Sequence, residues 1–161
     1  MEPKNLITQM ENSAQAIRTL AEGVRDDEAR WNPEPDAWSI LDVINHLTYE
    51  ETHDFRDRLD LVLHRPQEHW PRMDPARGVR DRSRQRELGQ ALEMFLARRE
   101  ESRAWLKTLE ASEWNTEHEA PFGQIKAGDV LAAWAAHDLL HLRQLIELRI
   151  SSWSVRPSPM A

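Results

Sequence analysis

Two histidines one helical turn apart lie in an otherwise apolar segment of the chain. His137 and His141 stand in the run from Ala135 to Leu142, where a helix would normally present leucines to a core. A spacing of four places both imidazoles on one helix face, so two ring nitrogens can reach one metal ion. Burying both rings without a shared cation would leave several polar nitrogens to satisfy, which favours a metal site.

A reactive metal centre commonly takes three protein ligands, so we expect a third histidine on another helix. His46 is the candidate, at the edge of an apolar stripe that follows Ser39. Taken alone, His46 is more simply explained as a hydrogen-bonded core residue. The chain has no cysteine, so the ligands must come from His, Asp and Glu. We expect a divalent ion, zinc or nickel, with iron or manganese as alternatives.

Several other polar residues could assist such a centre. Three are candidate proton acceptors in a reaction: Glu50, His53 and His118. Three more could orient a ligand imidazole or a substrate: Asn45, Gln144 and Asp138. His118 is predicted to lie in a loop, where it would be exposed and could line the mouth of the site.

The hydrophobic pattern predicts the elements that must position these residues. Apolar residues recur at spacings of three and four in four segments, and no segment alternates with period two, so the predicted class is all-α. The stripes run from Leu6 to Val24, from Ile40 to Val62 and from Leu88 to Leu109, and the fourth helix runs from about Gly128 to Ile150. Ser39 and Asp42 predict a capping box at the start of the second helix.

The connections between these helices indicate a topology. The proline-containing segment from residue 66 to about 79 is longer than usual, and it predicts a crossover that leaves the second and third helices parallel. Antiparallel second and fourth helices would bring His46 level with His141, although a parallel pair could bring it level with His137. The Arg and Glu residues of the third helix are assigned to a solvated face. Residues 113–123 form a second loop, and the tail, 151–161, is expected to fray.

The fourth helix is apolar on two sides. One face carries both histidines together with Val130, Trp134 and Leu145. A second face, almost opposite, carries Leu131, Ala135, Leu139, Leu142 and Ile146. Such a helix needs neighbours on both sides, and the second face must meet either further helices of the same chain or a partner subunit. We expect a homodimer that packs partly through this helix.

Length and charge limit the function classes. A chain of 161 residues can bury a core of its own, so we expect one domain over residues 1–161. The net charge of −7 opposes binding to nucleic acid and to anionic lipid. No signal-like segment opens the sequence, and no stretch approaches the roughly 20 apolar residues of a spanning helix. We therefore expect a cytoplasmic protein that does not enter a membrane.

Two motifs together resemble the DinB-like superfamily of small four-helix-bundle metalloenzymes, and the similarity covers nearly all of the chain. The motifs are Trp38-Ser39-Ile40 with Asn45-His46-Leu47 and the acidic residues that follow, and His137-Asp138 with His141 and Gln144. The resemblance implies an up-down-down-up bundle, frequent dimerisation and a divalent ion held by His46, His137 and His141. It also implies either a transferase that uses a low-molecular-weight thiol, which the resemblance favours, or a hydrolase.

Two functions of different class are compatible with these features. In the first, the ion acidifies a water or a substrate thiol, which suits an S-transferase or a hydrolase with a small-molecule substrate. In the second, the protein is a non-catalytic metal-binding or dimeric interaction module, of a stress-response type, whose ion joins helices. A chain of this length does not need such a metal to fold. A ferritin-like di-iron bundle needs a Glu-x-x-His motif on each of two helices. It fits poorly, because only residues 50–53 have that spacing.

Overall fold

Four long helical segments and a small β-hairpin make up the described part of the chain. The computed structural model describes residues 2–72, 86–109, 111 and 113–155. The elements are α1 (Pro3–Ala21), α2 (Asp26–Ala29), α3 (Ile40–His53), α4 (Phe55–His64), α5 (Leu88–Leu106), a 3₁₀ turn (Glu113–Asn115), β1 (Glu117–Ala120), β2 (Gly123–Lys126) and α6 (Ala127–Val155). Helices α3 and α4 follow one another directly, so α1, the α3–α4 segment, α5 and α6 form a four-helix bundle.

Two hydrophobic clusters show how these helices run. The first cluster joins the second half of α1 to the start of α3, the start of α5 and the second half of α6. The second cluster joins the start of α1 to α4, the end of α5 and the start of α6. Helices α1 and α6 are therefore parallel to each other and antiparallel to the α3–α4 segment and α5. This is the up-down-down-up order, and the predicted topology is confirmed.

Between the two clusters the bundle interior is polar and is organised by Arg99, which is only 3% exposed. Its Nε and Nη2 atoms donate to Glu51 Oε1 at 2.8 and 2.5 Å. Its Nη1 atom donates to Asp138 Oδ2 at 2.7 Å and to the Met10 carbonyl at 2.9 Å. Trp134 Nε1 donates to the same Glu51 oxygen at 3.2 Å. This network, which we call the Arg99 layer, joins all four members of the bundle.

The prediction that the Arg and Glu residues of the third helix face solvent is wrong at Arg99. The buried stripe of α5 includes it, at alternating spacings of four and three: Leu88, Leu92, Phe95, Arg99, Ser102 and Leu106. Burial raises the pKa of the Glu51 and Asp138 carboxyls, while the Arg99 guanidinium works against that rise. Both carboxylates come from other helices, so the local sequence around Arg99 does not reveal the pairing.

The start of α3 is fixed as the sequence predicts. Asp42 N donates to Ser39 Oγ at 3.2 Å, and Ser39 N donates to Asp42 Oδ2 at 3.0 Å, which completes the capping box. The predicted continuous second helix is interrupted at Asp54, whose backbone has φ −125° and ψ −91°. The apolar stripe resumes at once, because Phe55, Leu59 and Val62 in α4 are all buried.

The structure differs from the predicted elements at two glycines with positive φ. Helix α1 ends at Ala21 because Gly23 adopts φ +76°, so Val24 lies outside the helix. The expected loop at residues 113–123 instead contains β1, which pairs antiparallel with β2. Gly123, at φ +117°, lies opposite Ala120 where the hairpin closes. The all-α class therefore holds with one small hairpin added.

Helix α6 is longer than predicted, at 29 residues, and ends at Val155. Its last turns are held by Glu28 of α2, whose Oε1 accepts from Arg149 Nη1 at 2.5 Å and from Ser152 Oγ at 2.9 Å. The predicted frayed tail is thus helical in its first part, and residues 156–161 lie outside the described residues. So do residues 73–79 of the predicted crossover. Within the described ranges, no helix combines the length and the apolar character needed to cross a bilayer.

Replacing Arg99 with methionine is expected to destabilise the fold by about 3–5 kcal/mol, because Glu51 and Asp138 would stay buried without their cation. Urea denaturation followed by circular dichroism measures this loss. Arg98→Met is the matched control, since Arg98 is exposed and pairs with Glu101 on the surface. We expect the control to change stability by less than about 0.5 kcal/mol. Equal losses in the two variants would contradict the role given to the Arg99 layer.

Candidate metal centre

Three histidines from two antiparallel helices converge beside the Arg99 layer. His46 belongs to α3, and His137 and His141 lie one turn apart on α6. The Nε2 atom of His137 is 3.3 Å from His46 Nε2 and 3.1 Å from His141 Nε2. The three ligand atoms all lie within 4.8 Å of one another. The structure therefore brings together the three residues that the sequence singles out.

The spacing of these nitrogens fits a shared cation better than a set of hydrogen bonds. Two nitrogens bound to one tetrahedral zinc ion at about 2.0–2.1 Å would lie about 3.3 Å apart. His137 Nε2 faces both of its neighbours, yet a ring nitrogen has either one proton or one lone pair in the ring plane. It therefore cannot make both contacts as good hydrogen bonds. A divalent ion bound to all three lone pairs would satisfy them together.

Neighbouring polar side chains orient two of the three rings. Gln144 Oε1 accepts from His141 Nδ1 at 2.8 Å, which leaves the lone pair of that ring on Nε2. Glu50 Oε1 lies 3.6 Å from His46 Nδ1, and both side chains are buried. In these two rings the Nε2 atom faces the centre of the cluster while the Nδ1 atom faces a supporting side chain.

The protonation states of the rings also suit a metal. Burial, together with the charges of His141, His46 and Arg99, lowers the pKa of His137 to about 3. Burial lowers the pKa of His141 as well, against the opposing effect of its bond to Gln144. Neutral imidazole is the form that binds metals, so at neutral pH neither of these rings has to lose a proton first.

A carboxyl pair lies next to the centre on the α3 side. Burial, followed by the hydrogen bond to Asp54 and the charge of that residue, raises the pKa of Glu50 to about 9. Arg58 opposes the rise and forms an ion pair with Asp54 at 2.5 Å. Glu50 is therefore a group that can hold a proton at neutral pH beside His46. A cation bound nearby would favour its ionised form.

Two aromatic rings border the cluster, and neither was among the predicted site residues. Trp38 is stacked on His141, with an interplanar angle of 4° and centroids 6.0 Å apart, and its ring lies 4.8 Å from that of His46. The Phe55 ring is 5.1 Å from that of His137. Trp38 directly precedes the cap of α3, which is the one local sign that its ring could fold over the first turns of that helix.

Two of the candidate proton acceptors lie outside the three-histidine cluster. His53 is exposed, stacks on Tyr49, and has its Nδ1 atom 2.6 Å from Thr52 Oγ1. The prediction that His118 is exposed in a loop is wrong, because it lies in β1 and is 6% exposed. Its ring lies 6.0 Å from Trp70, since the unforeseen hairpin turns it toward the protein.

Of the two remaining candidates, one bonds within its own helix and the other links two helices. Asn45 Nδ2 donates to the Leu41 carbonyl at 2.9 Å, within α3. Asp138 accepts from Arg99 and so links α6 to α5. Since Asp138 follows His137 in the chain, this link also fixes the position of that histidine along the bundle.

Comparisons with known proteins give a family and a fold. The family model of the DinB superfamily matches residues 9–145. Among solved structures, the chain is similar to YfiT from Bacillus subtilis, which is described as a probable metal-dependent hydrolase with an unusual four-helix bundle topology. The TM-score is 0.78 at 17% identity, and the match covers 91% of this chain and 85% of that one. No curated protein matches the sequence.

We expect the purified protein to bind one zinc or nickel ion per chain. Replacing His46, His137 or His141 with alanine should weaken binding by more than about 100-fold, the upper range for losing a supporting residue alone. Elemental analysis and competition with a chromophoric chelator measure stoichiometry and affinity. His53→Ala is the matched control, because His53 is exposed and outside the cluster. Full metal content in all three alanine variants would rule out this ligand set.

Proposed function

The chain belongs to the DinB superfamily, and we propose that it is a metal-dependent hydrolase with a small-molecule substrate. The observation that carries the proposal is the convergence of three Nε2 atoms on one point between α3 and α6. His137 and His141 are partly exposed, so a small molecule can approach the cluster from solvent. The likeness to YfiT, a probable metal-dependent hydrolase, supports the same assignment.

In this proposal His46, His137 and His141 hold a divalent ion. Because three neutral imidazoles leave the charge of the ion uncompensated, the ion supplies Lewis acidity toward a water or a substrate group. Gln144 keeps the His141 ring turned so that Nε2 faces inward. Trp38 covers that ring and keeps bulk water away from one side of the centre.

Glu50 is the residue of this chain that we propose to move a proton. It is buried next to His46, and its carboxyl is hydrogen-bonded to Asp54. A cation bound beside it would favour its ionised form, which can take a proton from an attacking group and return it to a leaving group. Glu50→Gln keeps the shape of the side chain and removes its ability to take up and release a proton. We therefore expect it to lower kcat by about 100-fold or more while metal content is unchanged.

Turnover assays on the full chain test the hydrolase proposal. The protein is loaded with zinc, nickel, manganese or iron and offered nitrophenyl esters, anilides and small amides. We expect at least one metal form to turn over one substrate class, a chelator to abolish turnover, and His137→Ala to be inactive while His53→Ala remains active. Two results would refute the proposal. One is hydrolysis that persists both after chelation and in the His137→Ala variant, and the other is no hydrolysis with any metal or substrate class.

The same samples separate the hydrolase from the two alternatives. For thiol-dependent transfer, glutathione, bacillithiol and mycothiol are each supplied with an electrophile. Turnover that requires a thiol would assign the centre to a transferase. For a structural ion, the melting temperature is compared before and after chelation. If the protein unfolds on chelation and the metal-loaded protein shows no turnover, the ion belongs to a non-catalytic module.

We also propose that α6 packs against a second copy of the chain. Its outward face carries a row of exposed apolar side chains: Leu139, Ile146, Ile150 and Trp153. By contrast, Leu131 and Ala135 of the predicted second face are buried within the bundle. Such a row on one helix favours an isologous dimer.

Analytical ultracentrifugation tests this dimer. Ile150→Lys is expected to raise the dimer dissociation constant by about tenfold or more, because it places a charge in an apolar contact. Met94→Lys, at an exposed position on α5, is the matched control and should leave it unchanged. A wild-type protein that sediments as a monomer up to high concentration would disprove the dimer.

A further inference from the structure

All three lysines of the chain line one cavity at the end of the bundle where α1 and α6 begin and α5 ends. The cavity has a volume of about 670 Å³. Lys4 lies in the first turn of α1, Lys107 directly follows α5, and Lys126 ends β2. The chain has 21 Lys and Arg residues together, so the other 18 cationic side chains are arginines. Three separate segments thus bring the whole lysine content of the protein to one place.

The charge balance around this lysine cavity differs from that of the whole protein. Its described lining includes two acidic residues, Glu2 and Asp129, against the three lysines. Asp129 Oδ2 accepts from the Lys126 backbone N–H at 3.1 Å, and Lys126 Nζ lies 3.7 Å from Glu117. The described lining therefore carries a net charge of +1 in a chain whose net charge is −7. The parallel starts of α1 and α6 add the positive ends of two helices.

One wall of the cavity is apolar. Leu6, Ile7, Leu106 and Trp114 line it as buried members of the second hydrophobic cluster, and the half-buried Leu109 packs against that cluster. A small inorganic anion would leave this wall unused, and an uncharged apolar molecule would leave the lysines unused. The two walls together suit a ligand with a charged end and an apolar body, and the volume is within the range of small-molecule sites.

The lysine cavity is separate from the metal centre. Its described lining comes from α1, α5, the segment between α5 and α6, and the start of α6, with none from α3 or α4. On α6, Ala132 lines the cavity while His137 belongs to the metal centre. Five residues at about 100° each place these two positions about 140° apart around the helix. The two sites therefore use different faces of α6.

From these contacts we infer that the lysine cavity binds an organic anion, in which a carboxylate or a phosphate is attached to an apolar chain. The charged group lies among Lys4, Lys107 and Lys126, and the apolar chain packs against Leu109 and Trp114. This site goes beyond the proposed hydrolase and does not depend on its metal.

Titration calorimetry on the full chain tests this site with octanoate and octyl phosphate as probes. Acetate, inorganic phosphate and octan-1-ol each lack one half of the recognised chemistry. We expect at least one of the octyl anions to bind saturably, and about tenfold or more tightly than any of these three. The head group that binds more tightly identifies the preferred anion.

Variants then locate the binding. We expect binding to weaken by about tenfold or more in two variants. One is the single variant Lys107→Gln, and the other is the triple variant that combines Lys4→Gln, Lys107→Gln and Lys126→Gln. Arg18→Gln is the matched control, because it removes one exposed cation from α1 far from the cavity. His137→Ala should bind the probe as wild type does, which separates this site from the metal centre.

Three results would overturn the inference. These are the absence of saturable binding by both octyl anions, equal binding of octan-1-ol, and binding that is unchanged in the lysine variants. The lysines are exposed, so the variants should fold, and circular dichroism checks this. Should the triple variant fail to fold, Lys107→Gln alone decides the outcome.

Discussion

The buried guanidinium of Arg99 is the interaction on which the rest of the structure depends. It donates to Glu51 of α3, to Asp138 of α6 and to a carbonyl of α1, and so fixes the relative heights of the four bundle members. A buried ion cluster adds little net stability over apolar packing, but it can specify one register. Glu51 lies five residues after His46, and Asp138 directly follows His137. The register that pairs Arg99 with both carboxylates is therefore the register that brings the histidines together. A slip of one turn, about 5.4 Å, would separate both sets.

The charges of this polar region also suit a cation. Two carboxylates face one guanidinium in the Arg99 layer, and a further carboxyl, Glu50, lies beside His46. The three imidazoles bring no charge of their own to compensate a dication. Because all of these groups are buried, charges near the centre act strongly on one another. The layer that sets the register thus places Glu51 and Asp138, together with the Arg99 guanidinium that opposes them, on the helices adjoining the three rings.

Helix α6 connects the separate features of the molecule. Its first turn borders the lysine cavity, its middle carries His137 and His141, and its last turns are held by Glu28 of α2. Different faces of one helix can serve different partners, because successive residues turn by about 100°. This explains why α6 is apolar on more than one side. The hydrophobic pattern alone would assign both apolar faces to packing. Its outward apolar row remains available for the second copy that we propose.

The local features of this protein can be predicted from its sequence alone. The four helices, the capping box at Ser39 and the facing pair His137 and His141 follow from helical periodicity and from contacts within a few residues. The choice of His46 and the bundle topology needed the family resemblance or the loop lengths as well. Three other features become visible only in the folded chain: the burial of Arg99, the stacking of Trp38 on His141 and the position of His118 in a hairpin. Each of these depends on a partner that is distant in the chain, and hydrophobic periodicity records which face of a helix is buried but not what it meets there.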